Sequence, residues 1–288
     1  MKTIEDIECL FPCNLAEALA IQADERTRGK PIAGGTDLMV QWASGVLPIS
    51  ERSVSLAAVA ELKGILEAEN EVVIGAAVTH AELRRSSLIQ HHFPSLAAAA
   101  ATVGGLQIQA RGTIAGNVAN ASPAGDLVPS LLISEGVVVV VSASGERTVP
   151  LDRFYLAYRK VALMPDELIA RFILPKPKPG HREVFRKLGT RAAQAISKVV
   201  GSCRGRVEDG VIKYCRVALG SVAPVPVRLM EFESWIAGRK VDPTMLDEAE
   251  KVVSSLIKPI DDIRSTAEYR KWVSGRLVRS MLEEMVVN

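Results

Sequence analysis

Two stretches of the chain carry the residue types that handle phosphate. The first is Ile32, Ala33, Gly34, Gly35, Thr36 and Asp37. Gly34 and Gly35 have no side chain to keep a ligand away from their backbone N–H groups, and Thr36 adds a hydroxyl donor. A carboxylate aimed at phosphate would repel it, so Asp37 is expected to cap the following helix or to hold the loop. The second stretch runs from Arg111 to Asp126, where three of sixteen residues are glycine and four are alanine. It has little side chain for a core of its own, yet it offers Thr113, Asn117, Asn120 and Ser122 beside many backbone donors. A long irregular segment between well-packed neighbours calls for something that fills it. A large, polar, phosphate-bearing ligand would do so, whereas each stretch taken singly also fits an ordinary turn. Neither matches the G-x-G-x-x-G fingerprint or a P-loop.

The elements around these stretches follow from caps and periodicity. Asn14 and Glu17 have the spacing of a helix cap, and a strand over 30–33 runs into the glycine pair. Thr36 or Asp37 then starts a helix that Gly45 and Pro48 stop. A strand, a glycine turn and a helix in succession make an anion site at a helix N-terminus. Strands are predicted over 54–56 and 72–78, and one helix from Thr79 through His92, followed by a small-sided one over 95–102. Residues 104–126 show neither strong periodicity nor a long apolar run, and 111–126 within them reads as a long irregular loop. A short helix with Pro129 in its first turn, a hairpin over 136–151 and a strand over 166–175 come next. Pro175, Pro177 and Pro179 mark a boundary. Beyond it come a hairpin turning at Asp209 and Gly210 and three helices, over 228–238, 242–257 and 266–285. The predicted class is α+β.

Composition removes several functions. With 48% apolar residues and a net charge of +2, the chain has no electrostatic footprint for nucleic acid and is not expected to be disordered. No apolar run approaches the roughly 20 residues that cross a bilayer, and the acidic start argues against a signal peptide. A cytoplasmic protein is expected. Cys9, Cys13, Cys203 and Cys215 are too scattered for a disulfide framework or a metal cluster. His91 and His92 are adjacent, so on a helix they point about 100° apart and cannot share a metal. All four histidines are expected at the surface.

Residues 32–37, together with 112–117 and 121–126, resemble the two FAD loops of molybdenum-hydroxylase flavoproteins. That family includes the medium subunit of bacterial carbon monoxide dehydrogenase and the FAD subunits or domains of xanthine dehydrogenases. The resemblance covers the whole chain. It implies a two-subdomain FAD-binding fold of the PCMH/VAO type over 1–175, divided into 1–55 and 56–175. A C-terminal α+β domain of antiparallel sheet and helices would follow over 180–288. It also implies that Ile32, Ala33, Gly34, Gly35, Thr36 and Asp37 wrap the pyrophosphate. Gly112, Thr113, Gly116, Asn117, Ser122 and Asp126 would contact phosphate, ribityl or adenosine. The pyrophosphate is expected on backbone N–H groups of both loops, Ile169 beside the flavin ring and Lys187 near it. Two positions depart from the family. Gln109 stands where Arg is usual, so Arg111 is the candidate to supply the missing charge, and Val103 replaces an aromatic ring found in some relatives. The four-cysteine insertion of one branch is absent.

The implied function is an electron-transfer oxidoreductase subunit with FAD and no catalytic acid–base residue or metal of its own. Electrons would come from [2Fe-2S] clusters on a small subunit and leave for NAD, a quinone or another acceptor. Substrate would be oxidised on a molybdopterin-binding large subunit, in a dimer of heterotrimers. A self-contained FAD reductase or oxidase is the alternative, and it would need an acid poised at the flavin.

Overall fold

The computed structural model describes residues 3–192 and 194–286. It begins with β1 (Glu8–Leu10), α1 (Leu15–Ala23), β2 (Lys30–Ile32), α2 (Leu38–Ala43) and β3 (Arg52–Ser55). The three strands pair in parallel in the order β1-β3-β2, which their helical crossovers permit. Asn14 caps α1 as its spacing predicts, accepting from Glu17 N at 2.8 Å, while the Glu17 carboxylate reaches back to Cys13 N at 2.7 Å.

Next come β4 (Ile65–Glu67), β5 (Glu71–Gly75), α3 (His80–Arg85), α4 (Ser87–His92), α5 (Pro94–Thr102), α6 (Leu106–Arg111), α7 (Ile114–Ala119) and α8 (Val128–Ile133). They lead into β6 (Val137–Ser142), β7 (Gly145–Pro150), β8 (Tyr155–Ala157), β9 (Lys160–Val161) and β10 (Leu168–Pro175). An antiparallel sheet forms in the order β4-β5-β10-β6-β7, and β8 and β9 pair separately. Val138 to Val141 of β6 are all buried, which is why that strand reads as an unbroken apolar run. The β6–β10 register shifts between Ile169 and Arg171, a bulge beside the site described below.

Two expectations fail here. The single helix expected from Thr79 to His92 is two helices, because Ser86 both closes α3 and caps α4, accepting from Ile89 N. The segment without strong periodicity holds α6 and, within the stretch expected to be irregular, α7. Each is six residues long, bounded by Gly105 and by Gly112 with Thr113, and too short to display a period.

The remaining elements are β11 (Arg182–Leu188), β12 (Val199–Glu208), β13 (Val211–Gly220), β14 (Val227–Arg228), α9 (Met230–Ile236), α10 (Pro243–Leu256) and α11 (Ala267–Val286). The strands form an antiparallel sheet in that order, with α11 packed on β12 and α9 on β13. This sheet and its helices build a second apolar core, separate from the one that spans the preceding residues. The two halves meet where α5 and α8 lie against β11 and β12. A buried ion pair sits in that junction. The Arg204 guanidinium donates to Glu183 and, at 2.9 Å, to Ser134 Oγ. Glu183 also accepts from Ser95 N at 3.0 Å and from Ser95 Oγ at 2.6 Å. Among the described residues no helix is long and apolar enough to cross a membrane.

Candidate functional site

A cavity of about 830 Å³ lies where the parallel sheet meets the five-stranded sheet, in the size range of small-molecule and cofactor sites. The turn after β2 forms one wall. Gly35 takes φ +72°, a left-handed conformation that glycine adopts without cost, and the chain then enters α2. Among the described residues, the N–H groups of Ala33 to Asp37 find no protein acceptor, so five backbone donors are free. A row of unpaired donors along a cavity wall is available to a ligand. Asp37 stands at the start of α2 but makes no side-chain cap, contrary to expectation. Burial pushes its carboxyl above the usual range, and the positive charge of Arg159 works against that rise.

The second wall is the turn from α6 into α7, and it is built differently. Thr113 caps α7 by accepting from Gly116 N at 3.1 Å, and Asn117 N donates to Thr113 O. Gly112 N, Ile114 N and Ala115 N donate to Ile108, Val78 and Ala76. Of the N–H groups expected to hold phosphate here, all but that of Thr113 are therefore spent inside the protein. What this wall offers a ligand is the Asn117 side chain, whose buried Oδ1 has no partner. The two walls touch backbone to backbone. A Cβ added at Gly34 would lie 1.9 Å from Arg111 O and 2.9 Å from Gly112 Cα. Gln41 ties the walls again, donating to Asn120 Oδ1 at 2.8 Å.

Of the residues picked out by sequence, Ile32 to Asp37, Gly112, Thr113, Gly116, Asn117 and Ile169 all line this one cavity. Ser122, Asp126 and Lys187 lie outside its lining. Ser122 Oγ accepts from Ala124 N at 3.2 Å and so shapes the turn into α8. Asp126 and Lys187 form an ion pair at 2.6 Å, with side chains only 11% and 10% exposed. Lys187 Nζ also donates to Thr102 O at 3.1 Å, and Asp126 Oδ1 is buried without a partner. Burial lifts the Asp126 carboxyl to about 6 even though Lys187 pulls it down.

Arg111, the candidate for the charge missing at Gln109, is not among the residues that line the cavity. Gln109 is buried, donates to Ala101 O at 2.9 Å and accepts from Arg84 Nη1 at 3.2 Å. Among the cavity residues that sequence reasoning missed are His80 and Arg159. His80 is buried rather than at the surface, its Nδ1 has no partner, and burial holds its ring down to about 4, hence neutral. Nothing in its local sequence separates it from any residue that follows a capping threonine. Arg159 sits on the turn of a hairpin whose strands are too short to announce themselves.

The residues present fit a dinucleotide. The cavity is large enough, one wall presents free donors to a pyrophosphate, and the other presents an unsatisfied carbonyl oxygen to a hydroxyl or amine.

Comparisons with known proteins agree. Residues 5–177 match the model of the FAD binding domain in molybdopterin dehydrogenase, and residues 183–285 match the CO dehydrogenase flavoprotein C-terminal domain. The xanthine dehydrogenase FAD-binding subunit of Escherichia coli O157:H7 is 30% identical over 277 residues, covering 94% of this chain and 93% of that one. The carbon monoxide dehydrogenase medium chain of Hydrogenophaga pseudoflava is 27% identical over 275 residues, covering 94% of each. A solved structure of carbon monoxide dehydrogenase from the same organism superposes with a TM-score of 0.92 at 27% identity, covering 96% of each chain.

Proposed function

Because the chain belongs to the FAD-binding oxidoreductase subunits of the molybdenum hydroxylase family, we propose that it is the electron relay of a larger enzyme. Electrons arrive from [2Fe-2S] clusters on a small subunit and leave for NAD, a quinone or another acceptor. Substrate is oxidised on a molybdopterin-binding large subunit, and the assembly is a cytoplasmic dimer of heterotrimers. The carrying observation is the single cavity shared by the two loops, with free donors on one wall and the orphaned Asn117 carbonyl on the other.

FAD, when bound, supplies a carrier that accepts electrons singly and releases them singly or in pairs. Every other task falls to the protein. Ala33 to Asp37 hold the pyrophosphate, Gly112, Thr113 and Gly116 shape the opposite wall, and Asn117 accepts from the ligand. Ile169 presents an apolar face to the ring. Ser122 positions Asp126, which with Lys187 sits behind the Asn117 wall and sets the local charge. Residues 1–55 and 56–175 form the two cofactor-gripping subdomains, and 180–288 the C-terminal domain that brings Lys187 to them.

The pair's charge has a definite sign. Above about 6 the Asp126 carboxyl is ionised and the pair is neutral; below it the carboxyl is protonated and Lys187 leaves a net positive charge. In Lys187→Met the carboxyl loses the cation that held it down, so it keeps its proton to a higher pH than in the native chain. The test uses the assembled enzyme. Removing FAD is expected to leave cluster reduction by substrate intact and to stop acceptor reduction. Lys187→Met is expected to retain FAD, with a flavin midpoint lower than the native one below about pH 6, where the native pair carries a net positive charge and the variant none. Undiminished acceptor reduction without FAD would overturn the relay. A midpoint unchanged at every pH would remove Lys187 from the flavin's surroundings.

A further inference from the structure

Arg159 is a cavity residue to which the relay gives no task. With Tyr158 it forms the turn between β8 and β9, and it reaches the cavity from a hairpin remote in sequence from both loops. Its backbone takes φ +54°, a conformation that a residue with a side chain adopts rarely and at an energetic cost. Strain of this kind persists where the surroundings, or a ligand, require it.

Several other charges around it are committed, whereas Lys30, also in the lining, has no ion pair among the described residues. Glu167 is held by Arg147 through two 2.6 Å hydrogen bonds. Arg52 is paired with Glu8, and Arg28 donates to Gln22 O at 2.7 Å. Lys30 sits at the start of β2, before the glycine turn. Among the described residues no carboxylate pairs with Arg159, although it acts at longer range on Asp37 at the end of the row of free donors. The N–H row is made of neutral dipoles, and Asp37 adds an acid beside it. A diphosphate placed there would bring further negative charge into a half-buried site, which a cation from the lining would offset.

We propose that Arg159 is a cofactor-binding residue whose guanidinium closes from the β8–β9 turn onto the diphosphate of FAD held by Ala33 to Asp37. A planar guanidinium suits this role because it can donate two parallel hydrogen bonds to phosphate oxygens. The inference rests on the placement of FAD in this cavity, and it explains the left-handed arginine as the conformation that aims the side chain inward.

The test measures FAD binding to the flavin-depleted full-length chain over a range of ionic strength, for native protein, Arg159→Gln, Arg159→Lys and Arg159→Gly. Arg159→Gln and Arg159→Gly are expected to weaken FAD binding about tenfold or more at low salt. Both should also flatten its salt dependence, because a screened charge–charge contact has gone. Arg159→Lys should recover part of the affinity and most of the salt dependence. Arg159→Gly relieves the left-handed backbone, so the flavin-depleted variant should melt no lower than the native chain, which separates lost binding from lost folding. Affinity in Arg159→Gln within about twofold of native would overturn the proposal. So would weakened binding with an unchanged salt dependence, the signature of stacking on adenine rather than contact with phosphate. Gly34→Ala keeps this failure apart from failure of the site itself. If that variant loses FAD and Arg159→Gln keeps it, only the role of Arg159 falls; if Gly34→Ala also keeps it, the cavity is not the FAD site.

Discussion

Gly34→Ala is expected to abolish FAD retention while leaving the secondary structure in place. The new Cβ would stand 1.9 Å from Arg111 O and 2.5 Å from Arg111 C, both backbone atoms that no rotamer change can move. The two walls of the cavity would have to separate by more than an ångström. The free donors of Ala33 to Asp37 would then no longer converge with Asn117 on one ligand. If each displaced hydrogen bond costs about 1 kcal/mol, losing three weakens binding by roughly 100-fold or more. Gly35→Ala provides the graded comparison. Its φ of +72° is unfavourable for alanine, but the added Cβ meets only the end of the Ile32 side chain, at 3.2 Å. It should weaken retention without abolishing it. At Gly116 a Cβ approaches only Thr113 Oγ1, at 3.1 Å, so that glycine is the most permissive of the three. The measurement is the flavin-to-protein ratio after gel filtration, with circular dichroism as the folding control. Full occupancy in Gly34→Ala would contradict the site.

The second large effect concerns the junction between the halves. Glu183 and Arg204 have side chains 0% and 2% exposed, and their remaining hydrogen-bonding capacity is met by Ser95 and Ser134. The Arg204 guanidinium also lies 5.4 Å from the centre of the Phe93 ring. Glu183→Gln leaves a buried guanidinium without its counter-charge, and a loss of about 3–5 kcal/mol is expected. For a chain of this size that lowers the melting temperature by roughly 10 °C. The double change Glu183→Leu with Arg204→Met removes both charges and should recover much of the loss, since the desolvation cost goes with them. Calorimetry of the native chain and the two variants decides. If Glu183→Gln melts within about 2 °C of the native chain, the junction draws its stability from apolar packing instead.

Most of the architecture was legible because caps, glycine turns and apolar runs are local signals. Asn14 with Glu17, the valine run of β6 and the three prolines after β10 all say where the chain turns or is buried. The elements that stayed hidden are those whose order comes from their neighbours. α6 and α7 are six residues each, α6 held through Gln109 to Ala101 and Arg84 and α7 by bonds to Val78 and Ala76, and the break at Ser86 costs nothing that propensity would register. The site divided the same way. The glycine content of both loops pointed to the cavity, and eleven of the fourteen residues picked out by sequence line it. Which N–H groups are free could not be read in advance, because it depends on acceptors such as Ala76 and Val78, supplied by the turn after β5. The partnership of Asp126 with Lys187 and that of Gln109 with Arg84 are likewise contacts between segments distant in sequence. His80 and Arg159 carried no motif, only a place in the fold.

The central claim is that this chain carries the flavin and leaves substrate oxidation to another subunit. The most direct measurement is an anaerobic titration of the isolated, full-length chain followed by its flavin absorbance. The account predicts one FAD per chain, bleached by two electrons per flavin from a chemical reductant such as dithionite. It predicts no bleaching by a purine, carbon monoxide or an N-heterocycle supplied without the partner subunits. Reduction of the bound flavin by any of those substrates in the isolated chain would contradict it, as would a correctly folded chain that takes up no FAD.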